Sequence, residues 1–204
     1  MQMLTKWIAA LGCAFSLVAG AQAQEAPDAF IKRVGDDVVE AVKNDKAVQG
    51  GDIARINALV DEKVMPHVNF ERMTSRAVGE QRWQAASAEQ KSKLQAEFKT
   101  LLVRSYAGAM KEVRPATTVA LKPFRGEASD QEVEVQTEVR GSGKPVPLNY
   151  RVEKSGGGWK IYDVNVAGFW LMANYQKQFQ PILQQGGIDA LLARLAELNK
   201  GAKG

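Results

Sequence analysis

The sequence predicts an α+β domain, an antiparallel four-stranded twisted sheet with helices packed on one face. Three patterns carry that expectation. Apolar residues recur at helical spacing from Phe30 to Met110 and again from Phe169 to Leu198. Between Thr117 and Val164 the period falls to two. Short turns rich in Gly separate the alternating runs, which makes them antiparallel neighbours.

The chain opens with a segment set apart from that domain. Lys6 is its single charge, an apolar run extends from Trp7 to Val18, and Ala21-Gln22-Ala23 offers small residues where a signal peptidase reads. Residues 1–23 are expected to be a cleaved signal peptide and residues 24–204 a single domain. The apolar run is shorter than the roughly 20 residues of a spanning helix. Cys13 lies in this leader, and its loss leaves a thiol-free chain suited to an oxidising compartment, most simply a bacterial periplasm.

The first helix is expected over Phe30 to Lys43, with Phe30, Ile31, Val34, Val38 and Val42 on its apolar side. A polar break follows to Gly51. Asp52 caps a second helix that ends at Pro66, and Asn69 caps a short third helix from Phe70 to Val78. Ser87-Ala88-Glu89-Gln90 reads as a capping box opening a long helix that stops before Pro115. Four strands follow. Val119 and Leu121 alternate with polar neighbours; so do Val133, Val135, Thr137 and Val139, and then Val146, Leu148, Tyr150 and Val152. The last strand is Trp159 to Val164. A helix from Phe169 to Leu183, a break at Gly186-Gly187 and a final amphipathic helix complete the chain.

Composition removes several function classes. Hydrophobic residues at 45% and charged residues at 25% exclude a disordered tail, a collagen-like fibre and a multi-span membrane protein. One Cys and one His argue against a zinc site and against most charge-relay schemes. The net charge of +4, less Lys6 of the leader, is too small and scattered for a nucleic-acid partner.

Local motifs are sparse. Gly141-Ser142-Gly143-Lys144 looks like a phosphate loop, but Glu138 takes the place of its first Gly and Pro145 that of its Ser or Thr. His67 reads as a loop residue. Asp163 beside Tyr162 would suit an acid–base pair in a cavity, or a strand end. Glu132, Glu134 and Glu138 offer metal-ligand chemistry, or cross-strand pairing with Lys and Arg in solvent. Aromatic residues gather where sheet should meet helices, Tyr162 and Phe179 among them. They fit either a filled core or a cavity for a hydrophobic guest, and periodicity does not separate the two.

Longer stretches are distinctive. Trp159-Lys160-Ile161-Tyr162-Asp163-Val164-Asn165-Val166-Ala167-Gly168, followed by Asn174-Tyr175-Gln176-Lys177-Gln178-Phe179, resembles the signature of the MlaC family of periplasmic phospholipid-binding proteins, also called toluene-tolerance proteins. Gly186 to Leu191, Glu97 to Tyr106 and Pro66 to Phe70 match in order. Asn69 departs from the family's Asp, Trp170 from a small residue, and Gly79 to Trp83 is one residue longer than Gly-x-x-Trp.

The resemblance implies a non-enzymatic carrier whose ligand is a phospholipid, with no cofactor and no metal. It implies shuttling between an outer-membrane lipoprotein complex and an inner-membrane ABC transporter complex, which maintains lipid asymmetry. The helices would then close an apolar cavity against the sheet. Its expected walls are Val119, Leu121, Val133, Val135, Val139, Leu148, Tyr150, Val152, Trp159, Ile161 and Val164 from the strands. Phe98, Leu102, Tyr106, Phe169, Trp170 and Tyr175 are expected from the helices. A carrier of another hydrophobic ligand, hopanoid-like, and an enzyme using Asp163 and Tyr162 are the alternatives.

Overall fold

A computed structural model describes residues 25–127, 129–141 and 143–200. The leader expected at residues 1–23 lies outside the described residues, as does Cys13. Helices α1 (Pro27–Lys43), α2 (Lys46–Gly50), α3 (Ile53–Leu59), α4 (Phe70–Val78), α5 (Glu80–Ala85) and α6 (Ala88–Lys111) precede the sheet. Strands β1 (Thr118–Leu121), β2 (Glu132–Arg140), β3 (Val146–Ser155), β4 (Gly158–Val166) and β5 (Phe169–Trp170) form it in sequence order, all antiparallel. Helix α7 (Leu171–Lys200) closes the chain and breaks at Gly186 and Gly187.

The caps fall where the sequence puts them. Asp52 accepts from the Arg55 N–H at 3.0 Å. Ser87 and Gln90 exchange both capping-box hydrogen bonds at 3.1 Å. Asn69 accepts from the Arg72 N–H at 3.0 Å and donates to Glu153 at 2.6 Å. An Asp here would still cap the helix, but it would set a second carboxylate against Glu153, so the departure from the family residue fits its neighbour.

Four differences from the sequence reading stand out. The sheet has five strands rather than four, and Phe169 belongs to β5, not to the last helical run. Ala167 and Gly168 both take positive φ, the geometry of a tight primed hairpin turn, which folds two residues back onto β4. A two-residue strand carries no detectable period. The expected break after Lys43 contains α2, capped by Asp45. The extra residue between Gly79 and Trp83 lies in α5, which the sequence reading did not include. The helix expected to end at Pro66 passes through a π-helical turn (Val60–Val64) and a 3-10 turn (Met65–His67).

Three apolar clusters hold the layers. Helices α4, α6 and α7 share one around Leu94, Phe98, Met172, Leu191 and Leu195. The buried side of α1 packs on the sheet in the second. The end of α1, with α2, α3 and the later turns of α6, forms the third. Val68 joins the first two, held by a parallel bridge to Ile161.

His67 sits at that junction, edge-on to Phe30 with ring centroids 5.8 Å apart. Burial lowers its pKa below the ordinary 6.5, and the charges of Arg33 and Lys160 add to the effect. The unfolded chain therefore takes the proton first as pH falls. The stability due to neutral His67 is present above 6.5 and is lost as pH drops through the depressed folded value. His67→Gln should flatten the fall in Tm between about pH 7 and pH 5; an unchanged slope would assign the effect elsewhere.

Candidate functional site

Strand register sorts the inner face of the sheet into rows. Val133, Val152 and Ile161 form the first; Val135, Tyr150 and Val164 the second. Leu121, Thr137, Leu148 and Val166 form the third; Val119, Val139 and Val146 the last. Exposure differs along and within them: Val135, Thr137 and Val119 stay buried in the later rows. The first row is buried throughout. Tyr150 and Val164 of the second are half-buried, as are Leu121, Leu148 and Val166 of the third. Val146, in the last row, is 44% exposed. The first row is packed throughout, and the later rows leave their β3 and β4 members half-buried or exposed while Val135, Thr137 and Val119 stay covered.

Helix α1 packs the closed end. Phe30, Ile31 and Val34 lie on Val133, Val152 and Ile161, with Trp159 in the same cluster. The Trp159 indole N–H donates to the Glu25 carbonyl at 2.9 Å. The same helix reaches the last row on β1, where Gly35 lies against Val119, while Tyr150 and Val164 are only partly covered. Burial pushes the Tyr150 phenol above its ordinary pKa, yet the residue keeps accessible surface.

Phe98, Leu102 and Tyr106 occupy one stripe of α6 at four-residue spacing. Phe98 is 1% exposed, its ring 5.0 Å from Tyr175 and 5.6 Å from Phe179. Phe98 and Tyr175 are thus filling for the helical layer. Leu102 and Tyr106 stay half-buried. Burial raises the Tyr106 pKa, and Tyr175 nearby adds to it.

Two expected wall residues lie on the edge strand β5, one on each face. Phe169 pairs with Val166 and so extends the third row onto the edge strand, where it is 70% exposed. Trp170 pairs with Asn165, which belongs to the opposite face. Its ring lies 3.8 Å from the Arg151 guanidinium, so its bulk does not narrow the interior. The cause is a β-bulge where β3 meets β4 between Arg151 and Val152. Ile161 faces inward, the bulge shifts the phase, and Val164 and Val166 face inward beyond it.

Tyr162 and Asp163 consequently both point outward. The Tyr162 hydroxyl donates to Glu132 at 2.8 Å, and its pKa is pushed up to about 12 by burial and then by that bond. Arg72 lies 3.8 Å over the Tyr162 ring and pairs with Glu132 and Glu153. Asp163, fully buried, accepts from the N–H groups of Val164 (2.9 Å) and Met172 (3.2 Å) and from Arg151 at 3.3 Å. Burial raises its pKa, opposed by those donors. These contacts pin the start of α7 to the sheet. They put the two side chains behind the apolar wall, away from the position an acid–base pair in the cavity would need.

The acidic strand residues behave as a solvent face: Glu132 pairs with Arg72, and Glu138 pairs with Arg140 and Lys122. Among the described residues no group of three His, Cys, Asp or Glu side chains could hold a metal. No described helix is long and apolar enough to cross a membrane.

Two cavities flank this framework. An open groove of about 550 Å³ runs between α1 and β1, lined by Asp28, Ala29, Lys32, Arg33, Asp36, Asp37 and Leu121. A pocket of about 190 Å³ lies against α7, lined by Val78, Gly79, Arg82, Gln176 and Gln180. Of the expected wall residues, Leu121 is the one that reaches either of them.

A family model described as MlaC protein matches residues 32–197. This chain belongs to the MlaC family. It is 24% identical over 200 residues to the intermembrane phospholipid transport system binding protein MlaC of Haemophilus influenzae, covering 95% of this chain and 93% of that protein. It also resembles the solved structure of a phospholipid-binding protein from Ralstonia solanacearum in complex with a phospholipid. That match has 42% identity and a TM-score of 0.83, and covers 87% of this chain and 98% of that one.

Within this MlaC-family fold, sequence reasoning missed several residues that pack on the sheet. Val166 continues the inward row beyond the bulge. Val68 and Phe124 are partly buried against the sheet from irregular segments, where no period marks them. The charged flank of α1 reads in sequence as an ordinary solvated face.

Asp163→Ala removes two charge-assisted backbone bonds and the partner of Arg151. It should cost about 2–3 kcal/mol of stability by denaturant titration; a loss within about 0.5 kcal/mol would show that α7 is anchored without it.

Proposed function

We propose that this protein is a carrier that holds the acyl chains of a phospholipid against the inner face of the sheet. The observation that carries the reading is the graded apolar face, closed under α1 and left half-buried over Leu121, Leu148, Tyr150, Val164 and Val166. The phospholipid complex of the Ralstonia relative supports it. A diacyl lipid brings on the order of 30 methylenes, each about 0.8 kcal/mol, so roughly 25 kcal/mol opposes its leaving a bilayer. A carrier must replace most of that contact, and half-buried side chains are free to do so where the packed first row is not.

The name of the Haemophilus relative places it in an intermembrane phospholipid transport system. On that basis the carrier works in the periplasm after loss of its leader. It exchanges lipid with an outer-membrane lipoprotein complex and an inner-membrane ABC transporter complex and so maintains lipid asymmetry. The task needs binding and release and no covalent step. Tyr162 and Asp163, committed to the outer face, give an enzymatic reading no support.

Native mass spectrometry of protein purified without detergent should show co-purified phospholipid. Tyr150→Glu sets a charge in the wall and should reduce occupancy at least about tenfold, equivalent to about 1.4 kcal/mol, with the thermal transition retained. Undiminished occupancy in the folded variant would remove Tyr150 from the wall, and a ligand other than a phospholipid would overturn the assignment.

A further inference from the structure

Resting on the carrier reading, we propose that one corner of the sheet, built by Val146, Leu148, Val166 and Phe169, is the surface by which the protein docks on an anionic bilayer. Strand register sets these residues side by side on the inner face. Leu148 pairs with Val166, Val166 pairs with Phe169, and Val146 lies two residues before Leu148 on β3. The last row adds Val139, opposite Val146.

Exposure singles this corner out. Among the described residues three large apolar side chains are exposed, and two of them, Val146 at 44% and Phe169 at 70%, are here. Leu148 and Val166 between them are half-buried. The apolar surface therefore passes from solvent directly into the wall proposed to hold acyl chains. A lipid that enters or leaves by this corner follows apolar side chains along the whole route.

The backbone fixes the position of the Phe169 ring. Ala167 and Gly168 take φ of 50° and 97°. The Gly168 N–H donates to the Asn165 side chain at 2.9 Å, and the Ala167 N–H donates to the Pro147 carbonyl at 3.0 Å. The turn that presents Phe169 is thus tied to β4 and to the start of β3, the strand that carries Val146.

Charge decides what the corner meets. No Asp or Glu occurs from Gly141 to Val152 or from Val164 to Ile188, although the chain holds 23 acidic residues. The charges in those two segments are Lys144, Arg151 and Lys177, all basic. Arg151 is committed to Asp163 and to the Trp170 ring on the outer face. Lys144, two residues before Val146, is exposed and forms no ion pair among the described residues. An apolar patch with a lysine at its rim and no carboxylate in its two segments suits a surface of anionic head groups. A protein partner suits it less: a stable interface takes about 800 Å² from each side, whereas two exposed side chains carry the apolar contact here. A bilayer asks for no matching shape, and its interface accepts a Phe ring.

The test is cosedimentation of the protein with phosphatidylcholine vesicles, with and without phosphatidylglycerol. The wild type should bind the anionic vesicles more tightly, and added salt should weaken that binding. Phe169→Ser should lower the affinity for them about tenfold, and Lys144→Gln about fivefold. Lys93→Gln, which removes an exposed charge from the first turns of α6, should leave it unchanged. Native mass spectrometry should find Lys144→Gln still loaded with phospholipid. A wild type that stays off anionic vesicles, a folded Phe169→Ser variant that binds as the wild type does, or equal losses for Lys93→Gln and Lys144→Gln overturns the docking assignment and leaves the carrier intact. Vesicle binding by a protein that holds no phospholipid overturns the carrier reading and leaves the docking corner standing.

Discussion

The structure depends on the phase of the pleat in β4. Side chains of a strand alternate between faces, so one extra residue exchanges inside for outside for everything beyond it. The bulge between Arg151 and Val152 makes that exchange opposite Tyr162. Trp159 and Ile161 stay in the packed end, Val164 and Val166 join the open end, and Tyr162 and Asp163 turn outward. Without the shift, the Asp163 carboxylate would face the apolar interior with no partner. With it, Asp163 meets Arg151 and the Met172 N–H at the start of α7, and the helical layer is tied to the back of the same strand that lines the front.

Packing then divides the inner face by cover. The rows under α1 touch protein on all sides and have no surface to give a guest. The rows beyond keep apolar side chains half-buried, which costs stability when water covers them. In the proposed carrier, acyl chains on this face would recover contact the fold leaves unmade. Loading and release are then exchanges between comparable apolar surroundings, and no bond has to be broken.

Charged side chains line the solvent side of α1. Helix α1 serves both environments at once: Phe30, Ile31 and Val34 seat it on the sheet, and the rows one step around the helix line the groove beside Leu121. Because the two sides belong to one rigid helix, the position of the charged rim follows from the packing of the core.

Much was legible from the residues alone. The helix caps at Asp52, Asn69 and Ser87, the antiparallel meander and the break at Gly186-Gly187 follow from local chemistry and short-range spacing, which act within a few residues. The apolar rows of β2 and β3 were equally plain, since each strand keeps its own alternation. What remained hidden rests on contacts between distant segments. The bulge requires β3 beside β4 before it exists; the stack of Arg151 on Trp170 requires β5 to fold back; Val68 becomes part of the interior through its bridge to Ile161. The difference between a wall that is filled and one that is half-covered is set by how completely α1, α6 and α7 close over the sheet. Periodicity records which face turns inward, and only the assembled layers decide how much of that face is left without a partner.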